Sequence, residues 1–166
     1  LKKTIKKWCD LSKYANKCGL KSLSWEPMSI GREFGETINK TKKINSLLNQ
    51  NCEIPIKICL DVDHGDKEKS SINANPYNWI QELAKYSYCF HLKQVKKKYH
   101  SSHLCFTKNN NKSGIIKASK IINLLNSLNI NDMNLILEHS FKERSSVEKN
   151  LKSDLKESIK YWETNI

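Results

Sequence analysis

Four residues able to hold a divalent cation close four successive apolar runs of this chain: Glu26 in LSWEPM, Asp61 in KICLDVDH, His91 in YCFHLKQ and Glu138 in NLILEHS. Three carboxylates and one imidazole make an oxygen-rich donor set with a single nitrogen, suited to Mn²⁺, Co²⁺, Mg²⁺ or Zn²⁺. Any one acid at the end of a run reads as the solvated opening of a loop. A charge set among Cys, Leu, Val and Phe is costly to bury unless it is paired or metal-bound, however, and here the pattern occurs four times. His64 follows Asp61 by three residues, close enough to line the same mouth as a substrate donor or a support for a ligand.

These residues need elements that bring them to one place. They follow one another at intervals of 35, 30 and 47 residues, with helical periodicity between, which is the spacing of βα units and not of hairpins. Parallel strands would point all four tips toward the C-terminal edge of a barrel, where such barrels carry their chemistry. Strands are expected at 20–28, 56–62, 88–92 and 133–138. The run from Ile56 to Val62 is nearly continuous in apolar residues, as a strand covered on both faces should be. A first helix is expected over 2–18, with Ile5, Trp8, Cys9, Leu11, Ala15 and Cys18 inward and Gly19 as its stop. Others follow at 36–49 (Ile38, Thr41, Ile44, Leu47 and Leu48 inward), after the Asn75-Pro76 cap (Trp79, Ile80, Leu83, Ala84), and at 117–129 (Ala118, Ile121, Ile122, Leu125, Leu128). The last helix opens on Ser145 and Glu148 in capping-box register, with Val147, Leu151, Leu155, Ile159 and Trp162 as its core face. Residues 65–75 and 93–114 read as loops. His100 and His103, an HxxH in the longer one, have no acidic neighbour in sequence and are taken as surface loop. His139 alternates away from Glu138 along its strand and is left out of the site.

The chain of 166 residues is one domain by length. Four βα units are half of an eight-unit barrel of about 250 residues, so an N-terminal half is expected to be missing and the fragment alone to be inactive. The formal charge is +12, which invites a nucleic-acid partner. Lysine outnumbers arginine 27 to 2 and asparagine reaches 18, and the lysines spread over most helices, so the charge reads as a solvated basic surface with no nucleic-acid partner. No stretch reaches the roughly 18 apolar residues of a membrane span. Six cysteines without a CxxC pair read as small buried hydrophobes in a reducing compartment, the cytoplasm.

In order and spacing, Glu-Pro-Met after a strand, Leu-Asp-Val-Asp-His, Phe-His-Leu-Lys-Gln and Leu-Glu-His-Ser-Phe resemble the C-terminal half of the xylose-isomerase-like TIM barrels, the sugar and sugar-phosphate isomerases and epimerases. The nearest likeness is to epimerases of a small ketose phosphate, of the erythrulose-phosphate (tetrulose-phosphate) type. The resemblance implies an α/β fold with four parallel strands and outer helices, the C-terminal half of a (β/α)8 barrel spanning 1–166. It implies metal ligation by Glu26, Asp61, His91 and Glu138, with Glu26 and Glu138 also the catalytic acid/base pair. The proton beside a ketone is weakly acidic, so a cation on the ketone and hydroxyl oxygens stabilises the enediolate formed when one carboxylate removes it. Return from the opposite face inverts the carbon; return to the neighbouring carbon isomerises the sugar. Two departures from the pattern stand out. Arg32 occupies the loop where a further glutamate is common and suits a phosphate or hydroxyl-bearing substrate, and Asp63 replaces a small residue before His64. A sugar or sugar phosphate is the expected partner, and a homo-oligomer is compatible with the full-length form. The alternatives are an apurinic endonuclease of the same barrel superfamily, for which a second Asp-x-His motif after His91 is absent, and a basic binding module that has lost catalysis.

Overall fold

The computed structural model describes residues 1–28, 34–64, 71–96, 99–139 and 150–166. Short strands β1 (Leu23–Trp25), β2 (Ile56–Asp61), β3 (Ser87–Leu92) and β6 (Asn134–Leu137) form one sheet in the order β1-β2-β3-β6. β1 and β2 are parallel, with Leu23 opposite Ile56 and Trp25 opposite Ile58. The first strand is shorter than expected because the chain has left the ladder by Glu26. The contacts divide the chain into two compact units, Leu1–Phe90 and His91–Ile166, with the boundary inside β3.

In the first unit, β2 is buried at all but one position, as its continuous apolar run requires. Helix α2 (Ile38–Asn51) starts at Thr37, whose side chain accepts the Lys40 N–H. It buries Ile38, Thr41, Ile44 and Leu48, and also Asn45, whose Oδ1 accepts the indole N–H of Trp25 at 3.4 Å. Helix α4 (Pro76–Leu83) follows the anticipated Asn75 cap and Pro76 first turn, and Trp79, Ile80 and Leu83 face inward. Helix α3 (Ser71–Ala74) lies where a loop was expected, and the Asn73 carbonyl accepts the Trp79 indole N–H at 2.8 Å. The rest of that expected loop, 65–70, is outside the described residues.

The inner face of helix α1 (Lys2–Lys17) differs from the expected one. Leu11 is 48% exposed and Cys18 is exposed, while Ser12 and Ala15 are buried. Hydrophobicity alone misjudged the face because Ser12 Oγ accepts the Ile54 N–H at 2.9 Å, which turns the small residues inward. Gly19 ends the helix with φ +81, a conformation that L side chains rarely adopt.

In the second unit the expected long loop carries structure. β4 (Gln94–Lys96) and β5 (Tyr99–Leu104) pair antiparallel, and helix α5 (Lys108–Ser113) follows, capped by Thr107. Polar composition hid these elements, which a buried side chain helps to join through hydrogen bonds. Gln94 Nε2 donates to Asn111 Oδ1 (2.8 Å) and the Ile116 carbonyl (2.9 Å), and its Oε1 accepts the N–H groups of Val95 (3.1 Å) and Ile116 (3.0 Å). Gly114 makes room for it: a Cβ there would fall 2.0 Å from Gln94 Cδ. Gly114→Ala is therefore expected to destabilise the protein by about 3 kcal/mol, through overpacking and broken buried hydrogen bonds, read as a lowered urea midpoint at unchanged m-value.

Helix α6 (Ala118–Ser127) buries Ala118, Ile121 and Leu125 as expected. Helix α7 (Leu151–Glu163) turns Ser158 and Trp162 inward and leaves Ile159 exposed, against expectation. Its buried serine is again a hydrogen-bonding device, since Ser158 Oγ accepts the Phe106 N–H at 2.9 Å. Phe106 is fully buried, stacked on Tyr161 and edge-on to Trp162. The anticipated capping box, Ser145 and Glu148, lies outside the described residues with Val147. Among the described residues no helix is long and apolar enough to cross a membrane.

Candidate functional site

Each unit gathers part of the predicted donor set at the ends of its strands. In the first, Asp61 is the last residue of β2, and its side chain is 0% exposed. Its Oδ1 accepts the Asp63 N–H at 2.7 Å, so the chain turns back on the carboxylate as soon as the strand ends. That turn gives Asp63 a backbone role and delivers His64. The His64 ring stands between the two acids, Nδ1 at 3.1 Å from Glu26 Oε1 and Nε2 at 3.5 Å from Asp61 Oδ2. Because Nδ1 also lies 3.2 Å from the Pro27 carbonyl, which can only accept, it carries a hydrogen. Donor oxygens of Glu26 and Asp61 come within 4.8 Å of each other. The His64 ring is thus within reach of both acids.

In the second unit, the Glu138 N–H donates to the Leu92 carbonyl at 2.9 Å, which places its side chain beside the end of β3. Glu138 Oε2 lies 3.7 Å from His91 Nδ1, so the predicted imidazole and the fourth predicted carboxylate meet. Two further groups join them: Lys93, which was not singled out, and His103, which was expected on a surface loop without an acidic neighbour. Lys93 Nζ donates to Glu138 Oε2 at 3.3 Å, and His103 Nε2 lies 3.5 Å from Glu138 Oε1. Lys93 was legible in principle, since it is two residues after His91 and period-two alternation turns both to one side. His103 was not, because only the β4–β5 hairpin brings it back. His139 packs its ring against Phe106, and burial lowers its pKa. Arg32, the predicted substrate-binding arginine, lies outside the described residues.

The cysteines of β2 and β3 lie behind these strand ends. Cys59 and Cys89 are buried, and desolvation together with their mutual hydrogen bond raises the Cys59 pKa. Burial likewise pushes Cys105 up to about 11, and burial with the Cys9 hydrogen bond pushes Cys52 up to about 12. The Cys52, Cys59 and Cys105 thiols stay protonated at neutral pH and should resist iodoacetamide, while exposed Cys18 is alkylated first. Peptide mass mapping of briefly treated native protein checks this; early labelling of Cys59 or Cys105 would contradict the packing.

The strand order and the flanking helices are those of half of a (β/α)8 barrel. A crystal structure of a Rhodospirillum rubrum protein described provisionally as a xylose isomerase superimposes with a TM-score of 0.82, over 98% of this chain and 53% of that one, at 18% identity. In sequence, the chain is 33% identical over 168 residues to the D-erythrulose 1-phosphate 3-epimerase of Brucella abortus (strain 2308). That match takes in 100% of this chain and 54% of the relative, so the chain spans about half the length of the curated protein it matches. The resemblance carried by the four motifs therefore holds along the whole chain. No protein-family model matches it.

Proposed function

We propose that the full-length protein is a divalent-metal-dependent epimerase or isomerase acting on a small ketose phosphate. The observation that carries this reading is the pairing of carboxylates with imidazoles at strand ends, Glu26 and Asp61 about His64 and Glu138 about His91, in a chain similar throughout to an epimerase of D-erythrulose 1-phosphate. In this reading Glu26, Asp61, His91 and Glu138 share one ion. The donor set fits a hard or borderline divalent cation, and Asp61, a fully buried carboxylate, is a group that such a cation would neutralise. When bound, the cation polarises the ketone and stabilises negative charge developing on its oxygen. His64 keeps the Glu26 and Asp61 carboxylates in place. One glutamate removes the proton beside the ketone and the other holds the proton to be returned. Arg32, by its charge, would take the phosphate.

Metal content tests this against the alternatives. After Mn²⁺ loading and dialysis the full-length protein should retain one ion per chain, whereas about three zincs would favour the endonuclease and none the binding module. Asp61→Asn is expected to weaken Mn²⁺ binding by roughly a hundredfold or more, since even the partners of metal ligands are worth 10–100-fold. Far-UV circular dichroism should stay unchanged in that variant.

A further inference from the structure

Lys93 stands outside the mechanism just given, yet it is fully buried and reaches the same carboxylate. Its ammonium lies 3.3 Å from Glu138 Oε2 and 2.9 Å from His103 Nε2, and the side chain is 0% exposed. A buried ammonium is strongly disfavoured unless charged and polar partners surround it. An ammonium has only hydrogens to offer, so His103 Nε2 accepts, and the hydrogen of that ring sits on Nδ1. The lysine thus donates to both His103 and Glu138. The backbone reinforces the arrangement, because Glu138 N–H to Leu92 carbonyl ties the segment bearing the acid to the residue next to Lys93.

Resting on the reading of Glu138 as a metal ligand and acid/base group, we propose that Lys93 is a positioning residue for Glu138, divided between that carboxylate and His103 so that Glu138 is oriented without being fully neutralised. The position has two consequences of opposite sign. The ammonium fixes the direction of the carboxylate, which favours proton transfer, because small misplacements of a reacting group are costly. It also repels any cation bound by the same carboxylate. His103 tempers that repulsion by drawing part of the ammonium's hydrogen bonding away. A lysine present only for packing would show neither effect.

The experiment uses the full-length protein with Mn²⁺ as probe, binding followed by titration calorimetry and turnover by solvent deuterium entering a small ketose phosphate. Lys93→Met keeps the length and removes the charge. It is expected to tighten Mn²⁺ binding about tenfold while lowering kcat about a hundredfold at nearly unchanged KM. His103→Leu removes an acceptor that competes with Glu138 for the ammonium, so Mn²⁺ binding should weaken several-fold with the fold intact by circular dichroism. The second variant keeps the test open if Lys93→Met does not fold, since His103 is 27% exposed and tolerates change better. Weaker or unchanged Mn²⁺ binding in Lys93→Met, or tighter binding in His103→Leu, overturns the proposal while leaving the epimerase reading intact. Absence of Mn²⁺ binding by the unaltered protein overturns that reading, and this one with it.

Discussion

Glu26→Gln and Glu138→Gln are each expected to reduce incorporation of solvent deuterium into a small ketose phosphate by about 10²–10⁴-fold, the usual worth of a positioned acid or base. The amide keeps the size of the side chain and can still offer an oxygen, but it cannot take up or return a proton. Each glutamate has an orienting neighbour that survives the substitution: the His64 ring at 3.1 Å from Glu26, and the Lys93 ammonium at 3.3 Å from Glu138. The variants should therefore fold and still bind substrate, so that the loss falls on kcat. Exchange measured by NMR in D₂O with Mn²⁺ or Co²⁺ decides the matter residue by residue. Undiminished exchange in either variant removes that glutamate from the acid/base role, and retained exchange in both would require another proton carrier.

The largest loss of stability is expected from Phe106→Ala, about 3–5 kcal/mol. Phe106 is completely buried, stacks on Tyr161 with ring centroids 5.6 Å apart and meets the edge of Trp162 at 5.3 Å. Its truncation removes the transfer free energy of the ring, leaves a cavity and breaks both aromatic contacts. Because its backbone N–H is held by Ser158 Oγ at 2.9 Å, the chain there has little freedom to collapse into the space. Urea unfolding followed by tryptophan fluorescence measures the change. A loss below about 1 kcal/mol would mean that these aromatic rings do not form a packed cluster, given the usual cost of such truncations.

The surfaces that sequence periodicity misplaced share one cause. On α1 and α7 the expected inward faces included Leu11 and Ile159, both largely exposed, while Ser12 and Ser158 face inward. Each serine satisfies one backbone N–H of a neighbouring segment, Ile54 for Ser12 and Phe106 for Ser158. A buried N–H left without a partner costs as much as an exposed leucine loses, so the hydrogen bond sets the rotation of the helix. No local pattern marks which N–H will need a partner.

Legible along the chain were the succession of βα units and the four ionisable residues at their strand ends, because both follow from local pattern. Apolar runs make the strands, helical periodicity makes the covering layers, and a charged residue at the end of a buried run must meet compensation there. Asn75 with Pro76 marks a helix start for an equally local reason, and Asn75 is found as the cap. The surroundings of those residues were set by tertiary contacts. His64 lies between two acids because Asp63 N–H bends the chain onto Asp61. His103 reaches Glu138 because the hairpin around 94–104, which the buried amide of Gln94 helps to join, folds a polar stretch back toward β3. Contacts between residues 35 or more apart depend on where backbone hydrogen bonds and side-chain volumes are satisfied in space, and no period along the chain records that.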